Sequence, residues 1–254
     1  MPHRENAVTP MLDVPFANDD RTFDGLGLLE GEAPLYSFAW HPGLVLLPGC
    51  RMDRRSRLIK RILDVGCALI ALAVIVLPSL LIMLAIRLES RGPVFFRQHR
   101  IGLLGHDFTA FKFRTLYWDP NGSTSIRQAT RRDPRVTRVG YWLRRYSMDE
   151  LPQLLNILRG DMSIVGPRPH APGTRAGGHL FEEVTQCYDA RHCVKPGLTG
   201  LAQVRGWRGE TDTEDKLLHR IDCDFEYIAL WSIRLDLAII WRTARSVLRM
   251  GNAY

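Results

Sequence analysis

The longest apolar stretch is Val65–Ile86, about 22 residues without a charged side chain. A helix rises ~1.5 Å per residue, so ~20 such residues suffice to cross a hydrocarbon core of ~30 Å. Pro78 stands inside the run. It removes one backbone donor and collides with the carbonyl four residues back, which predicts a kink or a break. The arm Val65–Leu77 is ~20 Å long, too short to span alone. Ser79 places a hydroxyl where a carbonyl would be freed.

The flanks bear on topology. Arg54, Arg55, Arg57, Lys60 and Arg61 precede the run; Arg87, Arg91, Arg97 and Arg100 follow it. Lys and Arg mark the cytoplasmic side, and a straight span satisfies only one end. A bent, re-entrant helix satisfies both and is the expectation, ahead of a straight span or a buried soluble helix.

Beyond residue 90 the pattern is that of a water-soluble body. Pro93–Arg97 and His106–Thr115 alternate apolar and polar positions, as short strands do. Pro120–Ser125 is a turn-rich loop. Residues 147–159 read as a helix with Leu151, Leu154, Leu155 and Leu158 on one face. Gly160–Gly178 and Pro196–Gly209 are punctuated by Gly and Pro. Glu214–Arg249 predicts one or two amphipathic helices. There, Tyr227, Trp231 and Trp241 alternate with Arg234, Arg242, Arg245 and Arg249, a mixture that suits a membrane interface or an ordinary core-packing helix.

Charge divides the chain further. The 254 residues carry a net +7, yet residues 1–50 carry −5, which leaves +12 on the rest. That basic body implies an anionic partner. Residues 1–50 read as an acidic, loosely ordered leader without signal-peptide character, with Leu44–Leu47 as a short docking segment. Residues 51–90 form the basic-flanked membrane helix and 91–254 the cytosolic domain. An apolar content of 46% excludes wholesale disorder. Five cysteines without a C-x-x-C pair argue against a disulfide framework and a cysteine-only zinc site, and favour mostly buried thiols in a reducing compartment.

Candidate chemistry centres on R-R-Y-S-M-D-E-L-P, Arg144–Pro152. Ser147 and Glu150 match a capping box, a purely structural reading. Pro152 prefers the first helical position, so the helix could instead begin near Leu151. Either register puts Asp149 and Glu150 at a helix N-terminus just after seven arginines within Arg127–Arg145. Both influences lower a carboxylate pKa, which leaves an available nucleophile or metal ligand. Downstream, Gly166, Pro167 and Pro169 stiffen a loop around Arg168. It suits phosphate recognition, or is a plain turn. Lys112 and Arg114 lie two apart on a strand and face the same way.

These stretches together resemble the bacterial sugar transferases, the monotopic polyprenyl-phosphate phosphoglycosyl transferases. The similarity covers about residues 57–254. It is carried by K-R-I-L-D-V (60–65), the apolar run with its central Pro, G-P-V-F-F-R-Q-H-R-I-G (92–102) and F-K-F-R-T (111–115). S-M-D-E-L-P-Q-L-L-N-I-L-R-G-D-M-S-I-V-G-P-R-P (147–169) and K-P-G-L-T-G-L-A-Q-V-R-G (195–206) complete it. The family's usual Ser-Pro order is reversed here as Pro78-Ser79. The tail 208–237 and the ending G-N-A-Y resemble the branch that uses UDP-glucose.

The resemblance implies an α/β, mostly helical monotopic membrane protein, with a re-entrant helix, a small catalytic domain with short strands and C-terminal interfacial helices. It implies transfer of a hexose-1-phosphate, glucose-1-phosphate favoured, from a UDP-sugar to undecaprenyl phosphate, with release of UMP. That step opens exopolysaccharide or glycoconjugate synthesis at the cytoplasmic face of the bacterial inner membrane. Asp149 is implied as nucleophile and Mg²⁺ ligand, through an aspartyl-phosphosugar intermediate, and Glu150 as its partner in lipid-phosphate attack. Lys112, Arg114, Arg144, Gly166, Pro167, Arg168, Pro169, Gln203 and Arg205 are implied to bind substrate. The partners are then the UDP-sugar, undecaprenyl phosphate and the phospholipid bilayer, with a homo-oligomer left open. UDP-galactose or a UDP-N-acetylated sugar is the alternative donor. A membrane-tethered binder of anionic ligands is the alternative from another class; it gives Asp149 and Glu150 no role, and nucleic acid is not expected as a partner. A two-carboxylate glycosidase is disfavoured, because adjacent acids rarely flank one bond from opposite faces.

Overall fold

The computed structural model describes residues 52–119, 133–185, 187–209 and 211–248. The leader 1–50 with Leu44–Leu47, the Pro120–Ser125 loop, the arginines from 127 to 132 and the G-N-A-Y ending lie outside the described residues. The described chain is mostly helical, with one long apolar helix and a few short strands.

Helix α1 runs from Arg54 to Glu89, 36 residues or ~54 Å. Asp53 starts it by accepting a hydrogen bond from the Ser56 N–H. The helix continues through Pro78, so of the two outcomes expected there a break does not occur. One side of α1 packs on the body. Ala68, Ala71, Leu72 and Ile75 join the main core, and Ile82, Met83 and Ile86 meet Phe113 and Leu143 in a second one. The other side exposes Ile62, Ile70, Val74, Leu77, Leu81 and Leu88 along its whole length. Apolar surface this extensive is stable only against another apolar phase.

Both ends of α1 are fastened to the same body. Near its start, Lys60 donates to Asp236 Oδ2 at 2.7 Å and to the Val165 carbonyl at 3.1 Å. Arg61 donates to the carbonyls of Ile157 and Leu158. Asp64 accepts from Ser163 Oγ and the Ile164 N–H, each at 2.9 Å. At the other end, Glu89 accepts from the N–H groups of Arg138 and Val139 and so caps helix α2, Arg138–Arg145.

Strands β1 (Phe95–Ile101) and β2 (Asp107–Phe113) form an antiparallel hairpin. A 3₁₀ turn, Met148–Gln153, leads into helix α3, Leu154–Arg159. Sequence periodicity implies one helix here; Pro152 tightens its first half instead. Of the expected apolar face, Leu154 is buried while Leu155 is exposed. Strand β3 (Ser163–Val165) pairs in parallel with β6 (Gly197–Thr199). Between them lie the small pair β4 (Arg175–Ala176) and β5 (His179–Leu180), helix α4 (Phe181–Val184) and a 3₁₀ segment, Tyr188–Cys193.

Helices α5 (Leu201–Val204), α6 (Glu214–Ala229) and α7 (Ile233–Leu248) close the body. They divide the expected aromatic stripe. The Tyr227 hydroxyl and the Trp231 indole both donate to buried Asp236, whereas Trp241 is exposed. Cys67, Cys187 and Cys223 are free thiols, of which Cys223 alone is buried, and Cys193 is disulfide-bonded, which departs from the expectation of mostly buried thiols.

Candidate active site

Glu150 lies where three segments meet. Its Oε1 accepts from Lys112 Nζ of β2 at 2.6 Å and from Arg168 Nη2 at 2.5 Å; its Oε2 accepts from Arg168 Nη1 at 3.0 Å. Fork pairing of this kind fixes both partners in angle as well as distance. Burial alone would raise the Glu150 pKa, but Arg168 and Lys112 hold it well below the usual carboxylate range.

The neighbouring acid behaves differently. Burial pushes Asp149 up to about 6, against the opposing pull of Lys112. Among the described residues its carboxylate accepts no hydrogen bond and forms no ion pair. The expectation that both acids are lowered is thus corrected for Asp149. Its N-terminal turn is short and 3₁₀, Glu150 holds the direct cation contacts, and desolvation outweighs what remains. The capping box is also absent. Ser147 precedes the turn in a left-handed conformation, φ 56°, with no side-chain cap bond. That conformation is uncommon for a residue with a Cβ. Glu150 is therefore free to pair with the two cations.

Several bonds fix this arrangement. Asn156 joins α3 to β2: its Oδ1 accepts from the Phe111 N–H at 3.1 Å and its Nδ2 donates to the Thr109 carbonyl at 2.7 Å. Lys112 is thereby placed opposite Glu150. The Arg168 loop is held by β6, where the Gly166 N–H donates to the Thr199 carbonyl and the Gly197 N–H to the Pro167 carbonyl, each at 2.9 Å. A Cβ on Gly166 would sit 2.5 Å from the Lys195 carbonyl oxygen, so only glycine fits. Arg191 donates to the Arg168 carbonyl at 2.7 Å and pairs with buried Asp224 at 2.6 Å. Arg100 donates to the Pro169 carbonyl and to Gln98. Burial and the charge of Arg168 push Arg100 down to about 10. Counted among the basic residues that follow the apolar run, Arg100 thus also lies behind the Arg168 loop.

Asp149, Glu150, Lys112 and Arg168 thus come together, with Gly166, Pro167 and Pro169 as the loop's frame. Arg144, at the end of α2, is close enough for its charge to act on Asp149. Three expected contacts find other partners. Arg114 is buried and donates to the carbonyls of Ile86, Ser90 and Arg91, the unpaired end of α1. Gln203 donates to the Leu198 carbonyl at 3.3 Å, and Arg205 forms two bonds to Glu226 at 2.6 and 2.7 Å. Arg100, Asn156 and Arg191 were not expected at the site. Arg100 and Asn156 had a signal, lying inside the 92–102 and 147–169 stretches; Arg191 had none.

Among the described residues no group of three or more His, Cys, Asp or Glu side chains could hold a metal. Mg²⁺ is usually held by one or two carboxylates together with substrate phosphates. Asp149, an acid without a direct cation partner, fits that donor set.

The chain is similar to known proteins along most of its length. The "Bacterial sugar transferase" family matches residues 55–250. An "Undecaprenyl-phosphate glucose phosphotransferase" of Komagataeibacter xylinus is 51% identical over 195 residues, 77% of this chain and 37% of that protein. A "UDP-glucose:undecaprenyl-phosphate glucose-1-phosphate transferase" of Caulobacter vibrioides is 50% identical over 212 residues, 83% and 78% of the two chains. A protein of the same name from Escherichia coli is 47% identical over 188 residues, 74% and 40% of the two chains. The chain therefore spans well under half the length of the first and third of these relatives and most of the second. With the family match covering most of its length, the chain belongs to the bacterial sugar transferase family.

Proposed function

We propose that this chain is a phosphotransferase that moves glucose-1-phosphate from UDP-glucose to undecaprenyl phosphate and releases UMP. The observation that carries the proposal is the pairing of Glu150 with Lys112 and Arg168 beside the half-buried Asp149, which has no direct cation partner among the described residues. Phosphoryl transfer needs positioned cations and an in-line nucleophile more than elaborate acid–base chemistry. The names of the three relatives support the donor and the acceptor.

Asp149, ionised above pH about 6, attacks the β-phosphorus. Lys112 and Arg168 bind the phosphate oxygens, with Arg144 adding positive charge. Held by two cations in the free protein, Glu150 is a poor base. Donor phosphates compete for those cations, and a buried Glu150 released from them rises toward the range in which it accepts a proton. It then assists attack by the lipid phosphate on the aspartyl-phosphosugar. Mg²⁺, held by Asp149 and the diphosphate, would offset charge on the transferring group.

The bilayer is the second partner. Residues 51–90 serve as the anchor and 91–254 as the catalytic domain. The bonds of Lys60, Arg61 and Asp64 at one end of α1 and of Glu89 at the other go to one body. That arrangement supports a helix that enters and leaves one leaflet, with the site at the cytoplasmic face of the inner membrane. Release of UMP from UDP-glucose beyond one equivalent per protein should require a polyprenyl phosphate. Sustained UMP release that is indifferent to the lipid, or absent with it, contradicts the proposal.

A further inference from the structure

We propose that Arg208 is a further substrate-binding residue, and that it holds the phosphate that departs with the nucleotide. The inference rests on the donor reading above.

Arg208 lies in the loop between α5 and α6, and that loop is pinned from α6. The Trp207 ring stacks on His219, with centroids 4.4 Å apart at 14°. Arg220 uses all three of its nitrogens on the same loop: Nε donates to the Trp207 carbonyl at 2.9 Å, Nη2 to the Gly209 carbonyl at 2.8 Å, and Nη1 to the Thr211 hydroxyl. The backbone on both sides of Arg208 is therefore fixed. Its own side chain reaches α7, where Nη1 donates to Ser246 Oγ at 3.2 Å.

No carboxylate among the described residues pairs with Arg208. That sets it apart from Lys112 and Arg168, which share Glu150, from Arg191 with Asp224, and from Arg205 with Glu226. Yet Arg208 is half-buried. Burial and the charge of Arg168 push its pKa down, with Glu150 opposing. A desolvated guanidinium without a counter-ion is costly, and a phosphate offers it a matching fork of oxygens.

The chemistry selects which phosphate. In the first step an Asp149 oxygen bonds to the β-phosphorus while the bond from that phosphorus to the bridging oxygen breaks. The electron pair leaves with the α-phosphate as UMP, so negative charge grows there. In-line displacement puts that phosphate across the reacting phosphorus from Asp149. Ser246, which holds Arg208, lies one turn beyond Thr243 on α7, and the Thr243 hydroxyl bonds that of Thr199, whose carbonyl holds Gly166 of the Arg168 loop. Arg208 is thus tied to the side of the Arg168 loop, and the departing phosphate is the one assigned to it.

Arg208→Gln and Arg208→Lys in the full chain test this. Competition by UMP, with uridine as the phosphate-free control, is measured beside the KM for UDP-glucose and for undecaprenyl phosphate. We expect UMP inhibition to weaken by about tenfold or more in Arg208→Gln, the scale of one charge-assisted hydrogen bond. Uridine inhibition and the lipid KM should not change, and Arg208→Lys should fall between. Protection against thermal unfolding by UMP should drop in parallel, a binding readout independent of turnover. Unchanged UMP inhibition in Arg208→Gln would overturn the proposal, as would a change confined to the lipid KM. Either result leaves the donor reading intact. Wild-type protein that releases no UMP would sink that reading, and the proposal with it.

Discussion

The socket that receives the start of α1 and the pocket around Glu150 are built from the same materials but reach opposite outcomes. In the socket, Asp236 is fully buried and accepts from Lys60, Tyr227 and Trp231, and Asp64 accepts from two further donors. Every acid there is satisfied by the protein itself. In the pocket, Glu150 collects two cations, while Asp149 is left desolvated and unpaired beside them. A closed network holds structure together, whereas a network with an unmatched acid and surplus cations is poised to receive an anion.

This contrast is open to direct attack. Asp149→Asn should reduce turnover by on the order of 10⁴ or more, the scale for a lost nucleophile. Thermal stability should hold or rise, because a desolvated charge has been removed. Loss of both rate and stability would assign Asp149 to the structural kind of cluster. Asp236→Ala should do the reverse. It strands Lys60 and should destabilise the fold by about 3–5 kcal/mol, while the protein that still folds keeps its KM for the donor. A large KM change at preserved melting temperature would break the comparison.

Arg168→Ala removes one of the two cations on Glu150. It should lower kcat/KM by about 100- to 1,000-fold, or ~3–4 kcal/mol. Unaltered kinetics would make the Pro-Arg-Pro loop a plain turn. The smallest effect expected is on pH dependence. Asp149 is raised to about 6, so its nucleophilic form is lost as pH falls through that value. kcat/KM, which reports the free protein, should therefore drop about tenfold per unit below pH 6. Glu150, held low, stays ionised across the same window. A flat profile down to pH 5 would contradict the desolvation of Asp149.

Much of this was legible in the sequence where the signal is local. The apolar run became α1, and the alternation at His106–Thr115 became β2. Asp149, Glu150 and the Arg168 loop were legible as motifs. What the sequence hid was pairing across distance. Glu150 meets Lys112 and Arg168 from 38 and 18 residues away. Arg114, two positions from Lys112 on the same face, instead closes the open carbonyls of α1. The left-handed turn at Ser147 carries no residue signal, since glycine or asparagine is the usual marker. The three-residue strands β3 and β6 are too short for periodicity to declare. The K-R-I-L-D stretch was visible as text, but its meaning as a buried socket depends on Asp236, 176 residues beyond Lys60.

The central claim is that Asp149, left unpaired, is the group that takes the phosphosugar. Incubation of Glu150→Gln with UDP-glucose, without lipid, should stall the reaction after its first half. Peptide mass spectrometry should then find a hexose phosphate on Asp149, with UMP released in equal amount. UMP release with Asp149 unmodified, or an adduct on any other residue, would contradict the account.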